Sequence, residues 1–257
     1  MTLLLWLLLA ADATPALDLS RLRLVDLSHA FGEETLYWPG SPNGFKLQAL
    51  HQGRVSEGYF YSAYSFCAPE HGGTHLDAPV HFAEGRRGAD EVPLEQLVAA
   101  AVVIDVTGQA GADPAYRLTR EDIVAWERNH GRIGAGSIVL LRTGWSRRWP
   151  DRKRYFGDDT PGDASKLRFP GFGAEAARLL VEERKAAAIG VDTASIDHGP
   201  SQDFAVHQIV NGANVPALEN LANLDALPPR GAFVIALPMK IRGGSGGPLR
   251  AIALVPR

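Results

Sequence analysis

The stretch Glu70 to Phe82, EHGGTHLDAPVHF, places His71, His75, Asp77 and His81 within eleven residues, so that three of the chain's eight histidines stand beside one aspartate. Neutral imidazole and carboxylate are nitrogen and oxygen donors for a divalent ion. With Cys67 as the single cysteine, neither an internal disulfide nor a multi-cysteine metal site is available. From His75 onward the residues alternate, with His75, Asp77, Pro79 and His81 on one side and Leu76, Ala78, Val80 and Phe82 on the other. Successive side chains of an extended chain point to opposite faces, which makes one face polar and able to bind a metal and the other apolar and anchored in the core. Gly72-Gly73 and Pro79 disfavour a continuous helix, and the two glycines let the backbone turn so that His71 comes round to the same point as His75 and Asp77.

A hydrogen-bonded core residue is the ordinary reading of one buried histidine. Two imidazoles and a carboxylate at one point are harder to bury without a cation. An ion on such donors keeps an open coordination position and lowers the pKa of bound water to about 7, which provides hydroxide to attack an amide or ester carbonyl. His81, whose side-chain type titrates near a pKa of about 6.5, can take the water proton and pass it to the leaving nitrogen. Zinc and manganese both suit the donors, as one ion or two.

The elements that must position these groups are mostly strands. Residues 22–27 (LRLVDL) alternate, residues 58–67 (GYFYSAYSFC) are aromatic and β-prone, and residues 101–106, 137–141, 186–191, 232–237 and 250–255 are short apolar runs suited to buried strands. Thr119 followed by Asp122 is a capping-box signature that predicts a helix over 118–130 with Ile123 and Trp126 inward, and residues 173–185 form a second predicted helix. With 46% hydrophobic and 21% charged residues, the 257-residue chain can bury a real core, which excludes general disorder and a coiled coil. A formal charge of -3 argues against nucleic acid as the main partner, so the five basic residues of 147–154 (RRWPDRKR) read as a solvated loop. The sequence GGSGG at 243–247 lacks the features of a phosphate loop and is expected in a hairpin or pocket loop.

The first residues, MTLLLWLLLA, are too few for stable membrane insertion, since a span needs about 20. Residues 1–13 are therefore open between a signal remnant, an intersubunit helix and a core helix, with 14–257 expected as one domain. A cytoplasmic location is expected, with export if the apolar run is a truncated signal.

The string HGGTHLDAPVHF resembles the signature of the cyclase-like metal-dependent hydrolase superfamily, which includes bacterial kynurenine formamidases and isatin hydrolases. Weaker matches occur in the family's order at Asp26-Leu27-Ser28-His29, Tyr37-Trp38-Pro39-Gly40, Gly190-Val191-Asp192-Thr193 and Gly247-Pro248-Leu249-Arg250-Ala251. The resemblance implies an α/β fold of the swivelling β/β/α type, a mixed, β-barrel-like sheet with flanking helices, assembled as a homodimer or tetramer. It implies metal binding by His71, His75 and Asp77, proton transfer by His81, and completion of a two-metal site by His207 and Glu219, which stand twelve residues apart as in the formamidases. Isatin hydrolases are described as holding one metal. Trp38 lies where the formamidases have an aromatic substrate contact, a core or rim position being the alternative. Asp197 and His198 resemble a segment near the site, Asp192 could orient a ligand or cap a loop, and Cys67 is expected to be small and buried. The implied activity is opening of a cyclic or aryl amide C–N bond, an isatin-type lactam before N-formylkynurenine, because of the extra chain length and the segment SIDHGPSQDF. A lactone hydrolase or cyclase and a non-catalytic binding protein are the alternatives.

Overall fold

The apolar runs become the middle of a curled, mixed sheet, seen in a computed structural model that describes residues 18–41 and 43–257. Residues 1–13, and with them the choice between signal remnant, intersubunit helix and core helix, lie outside the described residues. The strands are β1 (Leu22–Asp26), β2 (Lys46–Arg54), β3 (Phe60–Cys67), β4 (His75–Asp77), β5 (Val98–Asp105), β6 (Arg117–Leu118), β7 (Ile138–Arg142), β8 (Gly171–Phe172), β9 (Ala188–Val191), β10 (Ala217–Glu219), β11 (Arg230–Ile235), β12 (Gly246–Pro248) and β13 (Ile252–Pro256). The helices are α1 (Leu94–Leu97), α2 (Thr107–Ala112), α3 (Arg120–His130), α4 (Arg152–Phe156), α5 (Ala174–Arg178) and α6 (Ala205–Gly212).

Nine strands join in the order β1-β13-β11-β5-β7-β9-β10-β4-β12. The centre, β5-β7-β9-β10, is parallel, and both flanks are antiparallel. Strands with both faces covered need apolar side chains throughout, which is why β7 and β9 are continuous apolar runs rather than alternating ones. Alternate residues feed two cores: Ala101, Val103, Ile138 and Leu140 pack with Val25, Leu27, Val234 and Ala253 on one face, while Val102, Ile104, Val139 and Leu141 meet Ile123, Ala176, Leu180, Val206 and Val210 from the helices on the other.

The predicted capping box is formed. Thr119 Oγ1 accepts from the Asp122 N–H at 3.1 Å and Asp122 Oδ2 accepts from the Thr119 N–H at 2.8 Å, so α3 starts at Arg120, and Trp126 Nε1 donates to the Val103 carbonyl at 2.9 Å. The predicted helix over 173–185 instead divides into α5 and a π-type turn, Leu179–Glu183. The aromatic run ending at Cys67 does form a strand, but β3 pairs with β2 as a separate ribbon, leaving Leu47, Leu50, Phe60 and Phe66 more than half exposed. Cys67 is exposed on that ribbon rather than buried, because β3 lies outside the sheet whose core would have covered it. The cations of 147–154 are largely held by the protein itself: Arg148 lies 3.4 Å over Trp145, Arg152 5.1 Å over Phe156, and Arg147 pairs with Asp225 at 3.1 Å. Among the described residues no helix is long and apolar enough to cross a membrane.

Candidate metal centre and its pocket

Strand β4 is three residues long and paired on both sides, by β10 and by β12. The β10 register sets Glu219 opposite His75 and Ala217 opposite Asp77, so a carboxylate from a distant segment arrives beside the histidine signature. Leu76 turns into the core and is fully buried, as the alternation requires. The chain before β4 bends at Gly73, whose φ of +58° favours glycine, and Gly72 lies so close to Tyr37 that a Cβ there would overlap its ring. Both glycines thus serve the turn that brings His71 back.

The alternation stops at Asp77. Pro79 has no N–H for a ladder and opens a 3₁₀ turn, Pro79–His81, and this turn rather than an extended strand carries His81 to the site. Its ring stacks on His71 with centroids 3.7 Å apart and planes 15° apart. The same turn brings Phe82 out of the core, where alternation would have put it, and sets its ring 4.4 Å from that of His207.

His207 comes from α6, a helix with no local signal in the sequence. Its start is held by Asp197, which accepts from the Val206 and His207 N–H groups at 3.0 and 3.1 Å. The cap therefore comes from a residue outside the usual N-cap position. Asp197 also accepts from His207 Nδ1 at 2.7 Å.

The donors converge. His71 Nδ1 lies 2.6 Å and His75 Nε2 3.1 Å from Asp77 Oδ1, and His207 Nε2 lies 3.2 Å from Asp77 Oδ2. Glu219 stands 3.6 Å from His75 and 3.3 Å from His207. Each of these rings commits one N–H away from the centre: His75 Nδ1 to the Gly73 carbonyl at 3.0 Å, His207 Nδ1 to Asp197, and His71 Nε2 to Ser245 Oγ at 2.9 Å. Ser245 in turn donates to Glu70 Oε2 at 2.6 Å, which places the GGSGG loop directly behind His71. Once the outward nitrogen carries the proton, the inward one presents a lone pair. His75 Nε2 is buried with no hydrogen-bond partner. A buried ring nitrogen facing carboxylates, with other imidazole nitrogens gathered around it, is a place suited to positive charge and, among metals, to a divalent cation.

The electrostatics agree. Burial opposes charge on every one of these groups. At His75 the Asp77 and Glu219 carboxylates outweigh it and raise the pKa to about 9, and His207 is raised well above its ordinary value by Asp197, Asp77 and Glu219. Asp77 is held well below the carboxylate range, against its burial, by His75 and His71, whereas burial and the neighbouring Asp77 push Glu219 up. Imidazoles drawn toward protonation by buried carboxylates mark a place that favours positive charge. His81 behaves differently: burial lowers it to about 4, leaving a neutral ring at neutral pH.

Above this floor lies a cavity of about 390 Å³, walled by Leu36, Trp38, Phe82, Phe156 and Phe204, and among the described residues no lysine or arginine lines it. All seven residues expected at the site, His71, His75, Asp77, His81, His207, Glu219 and Trp38, line it. Trp38 is half-buried, with its ring 6.4 Å from Phe169 and 6.1 Å from Phe204. Sequence reasoning missed Phe204 and put Phe82 in the core. Of the open alternatives, Asp192 caps a loop by accepting from the Thr143, Gly144 and Trp145 N–H groups, and Asp197, not His198, touches a ring of the centre.

The family model described as "Putative cyclase" matches residues 25–198. The chain belongs to the cyclase family. Within it, an isatin hydrolase of Roseibium aggregatum is 37% identical over 79% of this chain and 78% of its own, and a kynurenine formamidase of Sphingopyxis alaskensis is 31% identical over 90% and 97%. The solved structure of isatin hydrolase A from Ralstonia solanacearum is 37% identical, covers 96% of this chain and 100% of its own, and superposes with a TM-score of 0.83. This member of the cyclase family is a hydrolase, with a curled mixed sheet, a His/Asp cluster suited to a divalent metal and a cavity of small-molecule size.

Proposed function

We propose that this enzyme opens the C–N bond of a flat aromatic amide, an isatin-type lactam in the first place, at a divalent centre held by His71, His75, Asp77, His207 and Glu219. The observation that carries the reading is the set of three imidazoles anchored from outside, with His75 Nε2 buried and unpartnered at their meeting point. A divalent ion on these donors supplies Lewis acidity and brings the pKa of water to about 7. The residues of the chain do the rest. His81, neutral and stacked on His71, accepts the proton of the attacking water on a ring nitrogen and delivers it to the departing amide nitrogen. Trp38 and the aromatic wall hold the substrate ring over the centre and exclude solvent.

The wall also ranks the substrates. N-formylkynurenine carries an α-ammonium and an α-carboxylate, and a cavity without lysine or arginine leaves that carboxylate without a cationic partner. Isatin presents no such charge. Zinc and manganese, as one ion or two, all fit five nitrogen and oxygen donors. A second copy of the chain is the partner that would cover the apolar faces of the β2–β3 ribbon, in a dimer or tetramer. A cytoplasmic location belongs to the same reading.

Turnover of isatin, N-formylkynurenine and a simple lactone, each with Mn²⁺ and with Zn²⁺ after chelation, tests the proposal. Isatin is expected to react fastest and chelation to abolish the rate; inactivity on all three sinks the reading, and N-formylkynurenine as best substrate reverses the ranking. Sedimentation at micromolar concentration tests self-association, a monomer being the adverse result.

A further inference from the structure

Phe204 is held in the left-handed region, at φ 49° and ψ 42°, a conformation that glycine adopts freely and a bulky side chain adopts rarely. Four other non-glycine residues described share a positive φ. Three are asparagines, which tolerate it, and the fourth is Lys185, exposed in the short connection before β9. Phe204 is the aromatic exception, and it sits directly before α6, three residues ahead of His207.

The strain is imposed by contacts from several directions. The Phe204 N–H donates to Ser201 Oγ at 3.2 Å, Gln208 Nε2 donates to the Asp203 carbonyl at 2.6 Å, and Asp197 holds both Ser201 and the first turn of α6. Glycine would satisfy every one of these backbone bonds without strain, so the backbone alone does not account for phenylalanine. The ring does. It is half-buried, lines the cavity, and lies 5.3 Å from Phe82 and 6.1 Å from both Trp38 and His207. Without it the wall between Trp38 and Phe82 has a gap.

We infer that Phe204 is a specificity-determining residue: its strained backbone sets an aromatic ring between Trp38 and Phe82, completing one apolar wall that selects amides fused to a flat ring over amides without one. The inference rests on the amide-hydrolase reading and deepens it. A backbone outlier at a ligand-facing position is where stability is given up for function.

The test compares the metal-loaded wild type with Phe204→Gly, Phe204→Ala and Phe204→Leu. It uses isatin and succinimide, a cyclic imide without the fused ring, and reads kcat and KM by turnover, isatin affinity by calorimetry with each substitution also placed on His81→Ala to suppress turnover, and melting temperature. Loss of one aromatic contact is expected to raise KM and Kd for isatin about 3- to 10-fold in the glycine and alanine variants, with less effect on kcat. The isatin-to-succinimide preference should fall by the same factor, and leucine should recover only part of it. Phe204→Gly should melt above Phe204→Ala, since only glycine relieves the backbone. Unchanged isatin affinity in Phe204→Ala, an equal loss on succinimide, or a glycine variant no more stable than the alanine one overturns the inference. Wild type that binds isatin without turning it over sinks the hydrolase reading and leaves Phe204 to be judged by calorimetry. Wild type that binds no isatin overturns both.

Discussion

In the floor of the cavity His75, Asp77, His207 and Glu219 are each at most 4% exposed, and each ring nitrogen of His71, His75 and His207 that faces away from the centre meets a named acceptor. In the wall, Trp38, Phe82 and Phe204 are only half-buried and touch one another through ring faces and edges. Hydrogen bonds to charged groups are directional and costly to leave unmade, so the floor tolerates almost no change. Ring contacts are graded by area and orientation, so the wall can be altered by degrees. Under the proposed function, this difference would give chemistry to the floor and substrate choice to the wall.

The sharpest way to break that division is Asp77→Asn. Asp77 touches His71, His75 and His207 at once, and its loss should empty the purified protein of metal, with affinity falling by more than the roughly 10- to 100-fold that loss of an outer partner costs. Full metal content in that variant would mean the floor is not the metal centre. Next comes His81→Ala, expected to retain metal while kcat falls about 10²- to 10⁴-fold, the usual contribution of a positioned acid–base group; an undiminished kcat removes His81 from the reaction. Asp197→Asn, one layer further out, should weaken metal binding about 10- to 100-fold, read by competition with a chromogenic chelator. Trp38→Ala belongs to the wall and should raise KM for isatin about 3- to 10-fold with metal content intact; a loss confined to kcat would erase the distinction between wall and floor.

The smallest effect on activity is expected far from both regions, at Glu127, which accepts from Arg184 Nε at 2.7 Å and Nη2 at 2.9 Å. Arg184 holds the Glu127 carboxyl below the ordinary glutamate value. A carboxylate with a depressed folded-state pKa contributes stability above its unfolded pKa of about 4.3 and loses it as pH falls through the lowered value. Glu127→Gln should therefore destabilise by about 1–3 kcal/mol at neutral pH, with the deficit shrinking in acid and kcat and KM unchanged. A deficit independent of pH would show that charge plays no part in the pair.

Much of the fold was legible because its signals are local. The apolar runs mark β5, β7, β9, β11 and β13, and Thr119 with Asp122 marks the start of α3, since each depends on side chains a few residues apart. Helix α6 was invisible because its cap, Asp197, reaches it across a loop, and the ribbon could not be told from a core strand because β-propensity does not say which sheet a strand joins. Phe82 was misplaced because a proline-led turn, starting two residues after Asp77, ended the alternation.

The sequence by itself determined three of the five proposed donors and the turn at their start: His71, His75 and Asp77 are brought together by a glycine bend and a two-residue strand period, both properties of the local backbone. For His207 and Glu219 it offered family likeness alone, because nothing in their own segments singles them out. Only the tertiary structure decided that they meet the signature, through the register of β10 on β4 and the Asp197 cap of α6, and that Phe204 faces the same cavity. Strand pairing and long-range caps are set by hydrogen bonds between distant parts of the chain, and no spacing along the sequence encodes them.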